Sequence, residues 1–306
     1  MRYWVGVTHN TWFQFLRRTR PEEVNFWQPG AGNAFNRLAS GSPFLFKVKR
    51  PNNHIAGGGY FIKYSVLPLS IAWESFGSKN GAATREEFEN LIRPLTPDPT
   101  ARDPEIGCTV LAEPFFWPDE LWIKDPVGWS GNVVRGRYYD TSEQDGVALW
   151  SEVQSRIALN ESKEVWGVSE VKGGYGDAVL TKPRLGQGAF RVLVTDAYKR
   201  KCAITGERTL PVLEAAHILP FAKLGPHHVS NGLLLRSDFH KLFDLGYVTV
   251  DPDLRVKVSA RIKEEWSNGK AYYRLDGQSL AALPDEAEFR PRGEYLEWHN
   301  KNVFQP

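Results

Sequence analysis

Short apolar runs, several of them alternating with polar residues, dominate the first half of the chain and predict strands rather than long helices. The predicted strands cover residues 3–7, 44–49, 60–66, 109–111, 121–123 and 133–137. Helical spacing predicts only short helices, over residues 11–18 and 86–92. Gly57, Gly58 and Gly59 precede the strand at residue 60, and we expect them to form a turn. The pattern predicts an α+β domain built on a partly open β-barrel.

The pattern changes after a predicted helix over residues 152–159, where glycine becomes frequent and apolar periodicity is lost. A stretch of this kind has little apolar surface with which to pack against a domain. It therefore predicts a linker over residues 159–187, between a first domain of residues 1–158 and a second domain of residues 188–306.

The second domain opens with a predicted helix over residues 189–200 and continues with two apolar runs. The first run ends at His217, and Asn231 opens the second, Gly232-Leu-Leu-Leu235. Ser237 can then cap a helix that carries His240 and Asp244 four residues apart on one face. The predicted order is strand, loop, strand, helix. A hairpin over residues 247–250 and 255–258 and a helix over residues 293–300 are expected to follow.

The overall composition leaves the two-domain prediction unchanged, but the local distribution of charge indicates a candidate binding surface. The 306 residues suffice for about two domains, and the net charge of +2 does not by itself indicate a nucleic-acid-binding protein. Between Lys182 and Arg208, however, seven Lys or Arg residues stand against two acidic residues. We expect a phosphate-contacting surface here, with a solvated helix face as the alternative. The candidate DNA contacts are Lys199, Arg200, Lys201 and Arg236.

The number of cysteines and the hydropathy of the chain argue against a disulfide-rich protein and a membrane protein. Cys108 and Cys202 are the only cysteines, which excludes a disulfide framework and a zinc site built on several cysteines. The N-terminus lacks the apolar core of a signal peptide, and no stretch approaches about 18 apolar residues. We expect a cytoplasmic protein without a membrane partner.

The residues best suited to catalysis or metal binding lie in one window of the sequence. This window runs from His217 to His240 and contains four of the seven histidines. Histidine is the side chain best suited to proton transfer near neutral pH and to binding divalent metals. The window holds Leu213-Glu-Ala-Ala-His-Ile218, then Asn231-Gly-Leu233, then His240-Lys-Leu-Phe-Asp244. These residue types, spacings and predicted elements resemble the HNH nuclease family, whose fold is a ββα unit that grips one divalent metal.

The resemblance implies a role for each matching residue. His217 would be the general base that takes a proton from the water attacking a phosphodiester, and Asn231 would hold the loop and orient it. His240 would bind the metal, with Asp244 as a second ligand. A carboxylate oxygen suits Mg²⁺ or Mn²⁺, so one of these ions is the expected cofactor.

One departure from the family pattern leaves the ligand set open. Many HNH enzymes carry a further metal ligand directly before the general base, whereas this chain has Ala216 there. Either the metal has only the ligands already named together with water and phosphate, or Glu214 contributes. On an ideal strand Glu214 shares the face of Ala216, but it lies roughly 6–7 Å away along the strand.

Because the pair of Cys-x-x-Cys sites that bind zinc in many HNH domains is incomplete, no structural zinc is expected. We expect His227 and His228 to face solvent.

The first half of the chain carries a second, less specific resemblance. The segments Tyr3-Trp-Val-Gly-Val7, Asn25-Phe-Trp-Gln-Pro29, Phe44-Leu-Phe-Lys-Val48 and Gly57-Gly-Gly-Tyr-Phe-Ile-Lys-Tyr-Ser65 are similar to SRA/EVE-type domains of the PUA superfamily. These domains precede HNH domains in modification-dependent restriction enzymes of the McrA-like group. The resemblance implies a reader that flips a modified cytosine into an aromatic pocket, for which Tyr60, Tyr64, Trp73 and Trp27 are candidates.

The function that follows is a modification-dependent endonuclease acting on double-stranded DNA that carries 5-methylcytosine or 5-hydroxymethylcytosine. A single HNH site cuts one strand, so double-strand cleavage is expected to need a homodimer. Two alternatives stay open: an HNH nuclease whose first domain reads another mark, such as phosphorothioate, or RNA, and a catalytically inactive DNA-binding module.

Overall fold

The computed structural model describes residues 1–32, 35, 37–124, 129–130, 132–165, 185–223 and 225–306. The chain divides into two compact units, Met1–Arg184 and Leu185–Pro306. Most of the linker predicted over residues 159–187 lies outside the described residues.

Strands dominate the first unit, as the apolar pattern predicts. In chain order its elements are β1 (Arg2–Thr8), α1 (Asn10–Thr19), β2 (Glu23–Gln28), β3 (Pro43–Val48), β4 (His54–Pro68), α2 (Leu69–Phe76), α3 (Arg85–Ile92), β5 (Glu105–Phe116), β6 (Ile123–Lys124), β7 (Gly136–Asp140) and α4 (Gln144–Val165). The predicted helices over residues 11–18 and 86–92 are confirmed as α1 and α3. The helix predicted over residues 152–159 is part of the longer α4.

The described strands of the first unit form one seven-stranded sheet in the order β2-β5-β4-β3-β1-β7, with β6 also paired to β4. Strands β1 and β3 are parallel. No closed barrel is seen among these strands, because β2 and β7 end the path and do not pair with each other.

Buried apolar side chains lie on both faces of the sheet. Side chains alternate along β3, so that Phe44 and Phe46 join one buried apolar cluster and Leu45 joins another. Helix α1 covers the first cluster with Trp12, Phe13 and Leu16. Helix α4 contributes Leu149 and Val153 to the second. The sheet therefore lies between two apolar layers.

Three consecutive glycines lie within a strand, not in the turn predicted for them. Gly57, Gly58 and Gly59 are part of β4, where its partner strand β5 approaches very closely. A Cβ atom added at Gly57 would lie 2.2 Å from the backbone oxygen of Phe115. The glycines therefore permit this approach of two strands.

The second unit contains the predicted strand, strand, helix order. Its elements are α5 (Gln187–Ala197), β8 (Leu213–His217), β9 (Gly232–Arg236), α6 (Ser237–Asp244), β10 (Val248–Val250), β11 (Val256–Val258), α7 (Arg261–Trp266), α8 (Lys270–Tyr273) and α9 (Gly293–Asn302). Strands β8 and β9 are antiparallel, with His217 opposite Gly232. Strands β10 and β11 form the predicted hairpin. The capping role predicted for Ser237 is wrong, because β9 runs directly into α6 and Ser237 is already the first helical residue.

The core of the second unit holds the ββα elements against helices α5 and α9. Phe239 and Phe243 of α6 pack with the leucines of β9 and with Leu296 of α9. Helix α5 approaches β9 so closely that a Cβ atom at Gly232 would lie 2.6 Å from Val194 Cγ2. This packing fixes the end of β8, which carries His217, and the face of α6 that carries His240 and Asp244. Among the described residues, no helix combines the length and the apolar character that crossing a lipid bilayer requires.

Candidate active site

Strand β8 and helix α6 bring Glu214, His240 and Asp244 together. The Nδ1 atom of His240 lies 2.6 Å from Glu214 Oε2, and its Nε2 atom lies 3.4 Å from Asp244 Oδ2. The separation of four residues between His240 and Asp244 puts both on one face of α6, as predicted. Glu214 does reach His240 from the neighbouring strand. The imidazole therefore stands between two carboxylates.

Electrostatics in this cluster favour a positive partner. Burial is the first cause of the raised pKa of Asp244, and the negative charge of Glu214 raises it further. His240 opposes both effects. A positive charge near two carboxylates offsets the repulsion between them and the cost of their burial.

The cluster has the donor atoms for a divalent metal but not a closed metal site. In the described parts of the chain, no group of three or more His, Cys, Asp or Glu side chains is arranged to hold a metal ion. The carboxylates of Glu214 and Asp244 contact the imidazole of His240 instead. Carboxylate oxygen and imidazole nitrogen are nevertheless ligands that Mn²⁺ accepts, and carboxylate oxygen suits Mg²⁺. The residues therefore fit such an ion by donor chemistry.

His217 occupies a half-buried position at the end of β8. Its ring stacks on Phe190 of α5, with centroids 3.8 Å apart and planes 12° apart. Its Nε2 atom lies 3.0 Å from Nδ1 of His227. Burial, followed by the positive charges of His227 and His240, lowers the pKa of His217 to about 4. The ring is therefore unprotonated near neutral pH, which is the state a general base requires.

The side chain of Asn231 clamps the loop that follows His217. Asn231 is fully buried, and its Oδ1 atom accepts a hydrogen bond from the Leu219 amide at 2.9 Å. Its Nδ2 atom donates to the carbonyl oxygens of Leu219 at 2.9 Å and of Pro226 at 3.0 Å. The Ile218 amide donates to the Asn231 carbonyl at 3.0 Å. One amide thus joins the end of β8 to the segment just before His227.

The interpretation of His227 and His228 as solvent-facing residues is wrong. His227 is half-buried against His217. His228 accepts a hydrogen bond from the Ser230 amide at 3.2 Å and contacts Ser230 Oγ, so it caps a turn. Sequence reasoning also missed Phe190, because its stacking depends on how α5 packs. The crowding of four histidines was the one signal that could have pointed to His227.

The candidate DNA contacts Lys199 and Arg236 are each bonded to a different acidic side chain. Lys199 forms an exposed ion pair with Asp285 at 2.6 Å. Arg236 makes a two-pronged hydrogen bond to Asp238, at 2.7 and 2.8 Å. Arg200 and Lys201 are half-buried. A role in DNA binding stays a prediction for all four.

Cys202 serves as a hydrogen-bond acceptor for the backbone. Its Sγ atom accepts from the Thr205 amide at 3.5 Å and from the Arg236 amide at 3.3 Å. This buried thiol therefore holds the turn after α5 against the end of β9.

The four candidate pocket residues of the first unit are half-buried. Trp27 and Trp73 both contact the ring of Phe88, with centroids 6.1 and 6.0 Å apart. Tyr64 instead contacts Phe35, and its hydroxyl donates to the carbonyl of Gly32. Tyr60 lies on β4 opposite Pro43. In the described residues these contacts place Trp27 and Trp73 in one group and Tyr64 in another.

Comparison with known proteins bears on the second unit. Residues 202–251 match the family model of HNH endonucleases, and this stretch contains β8, β9 and α6. The family match does not extend to the first unit, whose resemblance to SRA/EVE domains stays a prediction. No curated protein sequence matches the chain.

Among solved structures, the chain is similar to a modification-dependent TagI restriction endonuclease at 14% sequence identity. The alignment covers 86% of this chain and 64% of that one, less than two thirds of its length, with a TM-score of 0.27. A likeness at this level carries no argument about function. The family match and the residues within it do: residues 202–251 of the second unit match an HNH endonuclease domain.

Proposed function

We propose that the chain is a modification-dependent DNA endonuclease whose second unit cuts and whose first unit reads 5-methylcytosine or 5-hydroxymethylcytosine. One observation carries the nuclease chemistry. Within the matched stretch, an unprotonated His217 stands near a His240 that lies between two carboxylates. A base and a candidate cation site are the two parts that phosphodiester hydrolysis needs.

In the proposed reaction, His217 removes a proton from a water molecule. The water oxygen forms a bond to phosphorus, the bond between phosphorus and the leaving ester oxygen breaks, and solvent returns a proton to that oxygen. Phe190 holds the plane of the His217 ring, and the clamp made by Asn231 holds its loop. Fixed orientation lowers the entropic part of the barrier.

His240 and Asp244 would hold the divalent cation, Mg²⁺ or Mn²⁺, together with water and phosphate oxygens. When bound, such an ion supplies positive charge that stabilises the phosphate oxygens and the leaving oxygen. Glu214 is the candidate for a further ligand, in place of the one that Ala216 cannot provide.

The proposal for the first unit rests on its aromatic and basic side chains. Trp27, which contacts Phe88, also stacks on His9, with centroids 6.0 Å apart. His9 in turn lies 3.1 Å from Lys49 Nζ. Aromatic faces suit an extruded base, and basic groups suit its phosphate. Because one HNH site cuts one strand, we propose that two protomers act together on double-stranded DNA.

Digestion of matched plasmids tests this function. The substrates carry cytosine, 5-methylcytosine, 5-hydroxymethylcytosine or phosphorothioate and are incubated with Mg²⁺ or Mn²⁺. We expect cleavage of the two modified-cytosine plasmids only, loss of cleavage with a chelator, and loss of roughly 10²- to 10⁴-fold in His217→Ala. Equal cleavage of every plasmid would remove the reader. Wild-type activity in a folded His217→Ala would remove His217 as the base.

A further inference from the structure

Among the residues that the structure describes, His227 forms the one hydrogen bond to the imidazole of His217. Among the described residues, the ring of His217 bonds only through Nε2, to Nδ1 of His227 at 3.0 Å. Its Nδ1 atom has no hydrogen-bond partner in the same part of the chain. One nitrogen is thus held by a second histidine, and the other remains available to a reactant.

The direction of this hydrogen bond decides whether His217 can act as a base. A neutral imidazole carries one N–H donor and one acceptor nitrogen. If His217 donates from Nε2, its Nδ1 atom keeps a lone pair and can take a proton from water. If His227 donates instead, Nδ1 of His217 carries the hydrogen and cannot accept one. Base chemistry at Nδ1 therefore requires that His227 accept.

The scaffold holds His227 in place for this contact. Asn231 Nδ2 donates to the carbonyl oxygen of Pro226, the residue before His227, at 3.0 Å. At Gly225 an added Cβ atom would lie 1.9 Å from the Leu219 carbonyl oxygen, so the loop can approach this closely only with glycine. The ring of Phe190 contacts both histidines, with centroids 3.8 and 5.8 Å away.

We propose that His227 is a positioning residue for the nuclease reaction: its Nδ1 atom accepts the Nε2–H of His217 and so fixes the tautomer with a free lone pair on Nδ1. The proposal rests on the proposed role of His217 as general base. His227 does not touch the substrate in this scheme, and acts only through His217.

Two amide substitutions separate this role from a packing role. The Oδ1 atom of asparagine occupies nearly the position of histidine Nδ1, whereas the Oε1 atom of glutamine corresponds to Nε2. We expect His227→Ala to lower kcat roughly 10- to 100-fold, as the loss of a supporting hydrogen bond does elsewhere, with KM little changed. His227→Asn should keep most of the wild-type kcat, and His227→Gln should behave as His227→Ala. An unchanged kcat in His227→Ala, or equal values for Asn and Gln, would overturn the proposal.

Ring-nitrogen NMR of the full chain labelled with ¹⁵N-histidine gives a readout that does not need activity. His217→Ala identifies the His217 signals. We expect the proton on Nε2 of His217 in the wild type and in His227→Asn, and a mixture of tautomers in His227→Ala. A proton on Nδ1 in the wild type, or no change in His227→Ala, would refute the role of His227. A wild-type protein that cleaves no DNA would refute the proposed function and leave this measurement valid. If His227→Ala fails to fold by circular dichroism, the comparison of Asn with Gln decides.

Discussion

At the scale of single residues, burial assigns different roles to histidines that look alike in sequence. His299 of α9 is 2% exposed, stacks on Phe243 at 3.6 Å, and bonds to Thr249 Oγ1 and to the Phe243 carbonyl oxygen. It is a structural side chain with both ring nitrogens satisfied. His240, by contrast, contacts two carboxylates that solvent can reach. The contacts of each imidazole ring therefore distinguish His299, which packs in the core, from His240, which is a candidate metal ligand.

Substitution of the two carboxylates tests the proposed metal ligands. We expect Glu214→Gln and Asp244→Asn each to weaken Mn²⁺ binding by about tenfold or more, because each removes a charged oxygen donor beside His240. Calorimetric titration with Mn²⁺ measures this effect. Asp238→Asn is the matched control on α6, because Asp238 is bonded to Arg236, and it should leave the affinity unchanged. An unchanged affinity in Glu214→Gln would exclude Glu214 as a ligand.

Burial of His299 predicts how the stability of the second unit depends on pH. Burial lowers the pKa of His299 from 6.5 to about 4. The unfolded chain therefore binds a proton that the folded chain does not, and stability is complete above pH 6.5 and is lost as pH falls towards 4. At about 1.4 kcal/mol for each pH unit, this one group accounts for at most about 3.5 kcal/mol.

Urea unfolding between pH 4 and 7 measures this dependence. At pH 7, His299→Gln should unfold at a lower urea concentration than the wild type. Between pH 7 and pH 4, its free energy of unfolding should fall less than that of the wild type. His54→Gln, in the first unit, serves as the control and should leave the acid dependence of the second unit unchanged. If His299→Gln loses as much stability with acid as the wild type, another group accounts for the effect.

At the scale of elements, the close approach of β4 and β5 makes the glycines of β4 sensitive to substitution. In Gly57→Ala the new methyl group would meet the backbone of Phe115 at 2.2 Å, and backbone cannot move aside as a flexible side chain can. We expect a loss of about 1–3 kcal/mol or more in the free energy of unfolding of the first unit. Gly30→Ala is the control, because its nearest atom would be a proline carbon at 3.6 Å. Thermal unfolding that is equal in the two variants would contradict the close packing.

At the scale of the whole molecule, each unit has its own buried core, so we expect each to fold alone. Because α4 continues to Val165, a fragment of residues 1–165 is a better choice than one ending at residue 158. We expect this fragment to bind duplexes with modified cytosine more tightly than unmodified ones, without cutting. A fragment of residues 185–306 should bind Mn²⁺ and show no such preference.

Fluorescence anisotropy with paired duplexes, at two salt concentrations, checks the reader. Phosphate contacts weaken steeply with salt, so a preference carried by a base pocket should persist at the higher concentration. A folded first fragment that binds all duplexes equally would show that the preference, if the full chain has one, arises elsewhere.

Local patterns of residues were enough to predict the strands and helix of the second unit and the positions of its motif. The apolar runs before His217 and after Asn231 have strand length, and the spacing of His240 and Asp244 is one helical turn. Both are local periods of about 2 and 3.6 residues, which depend on neighbouring positions only. The strand, strand, helix order and the HNH resemblance could therefore be predicted without the fold.

Tertiary structure decided every contact between elements. Strict alternation along β8 puts Glu214 on the face of Ala216, opposite His217, and the regular register of β8 with β9 keeps this alternation. Alternation assigns the face of Glu214 but not its reach, and its contact with His240 depends on how α6 packs against β8. The contact of His227 with His217 likewise depends on how closely the loop packs at Gly225, and the glycines of β4 depend on the course of β5. Distances between segments far apart in the chain follow from packing, and no local pattern of residues encodes them.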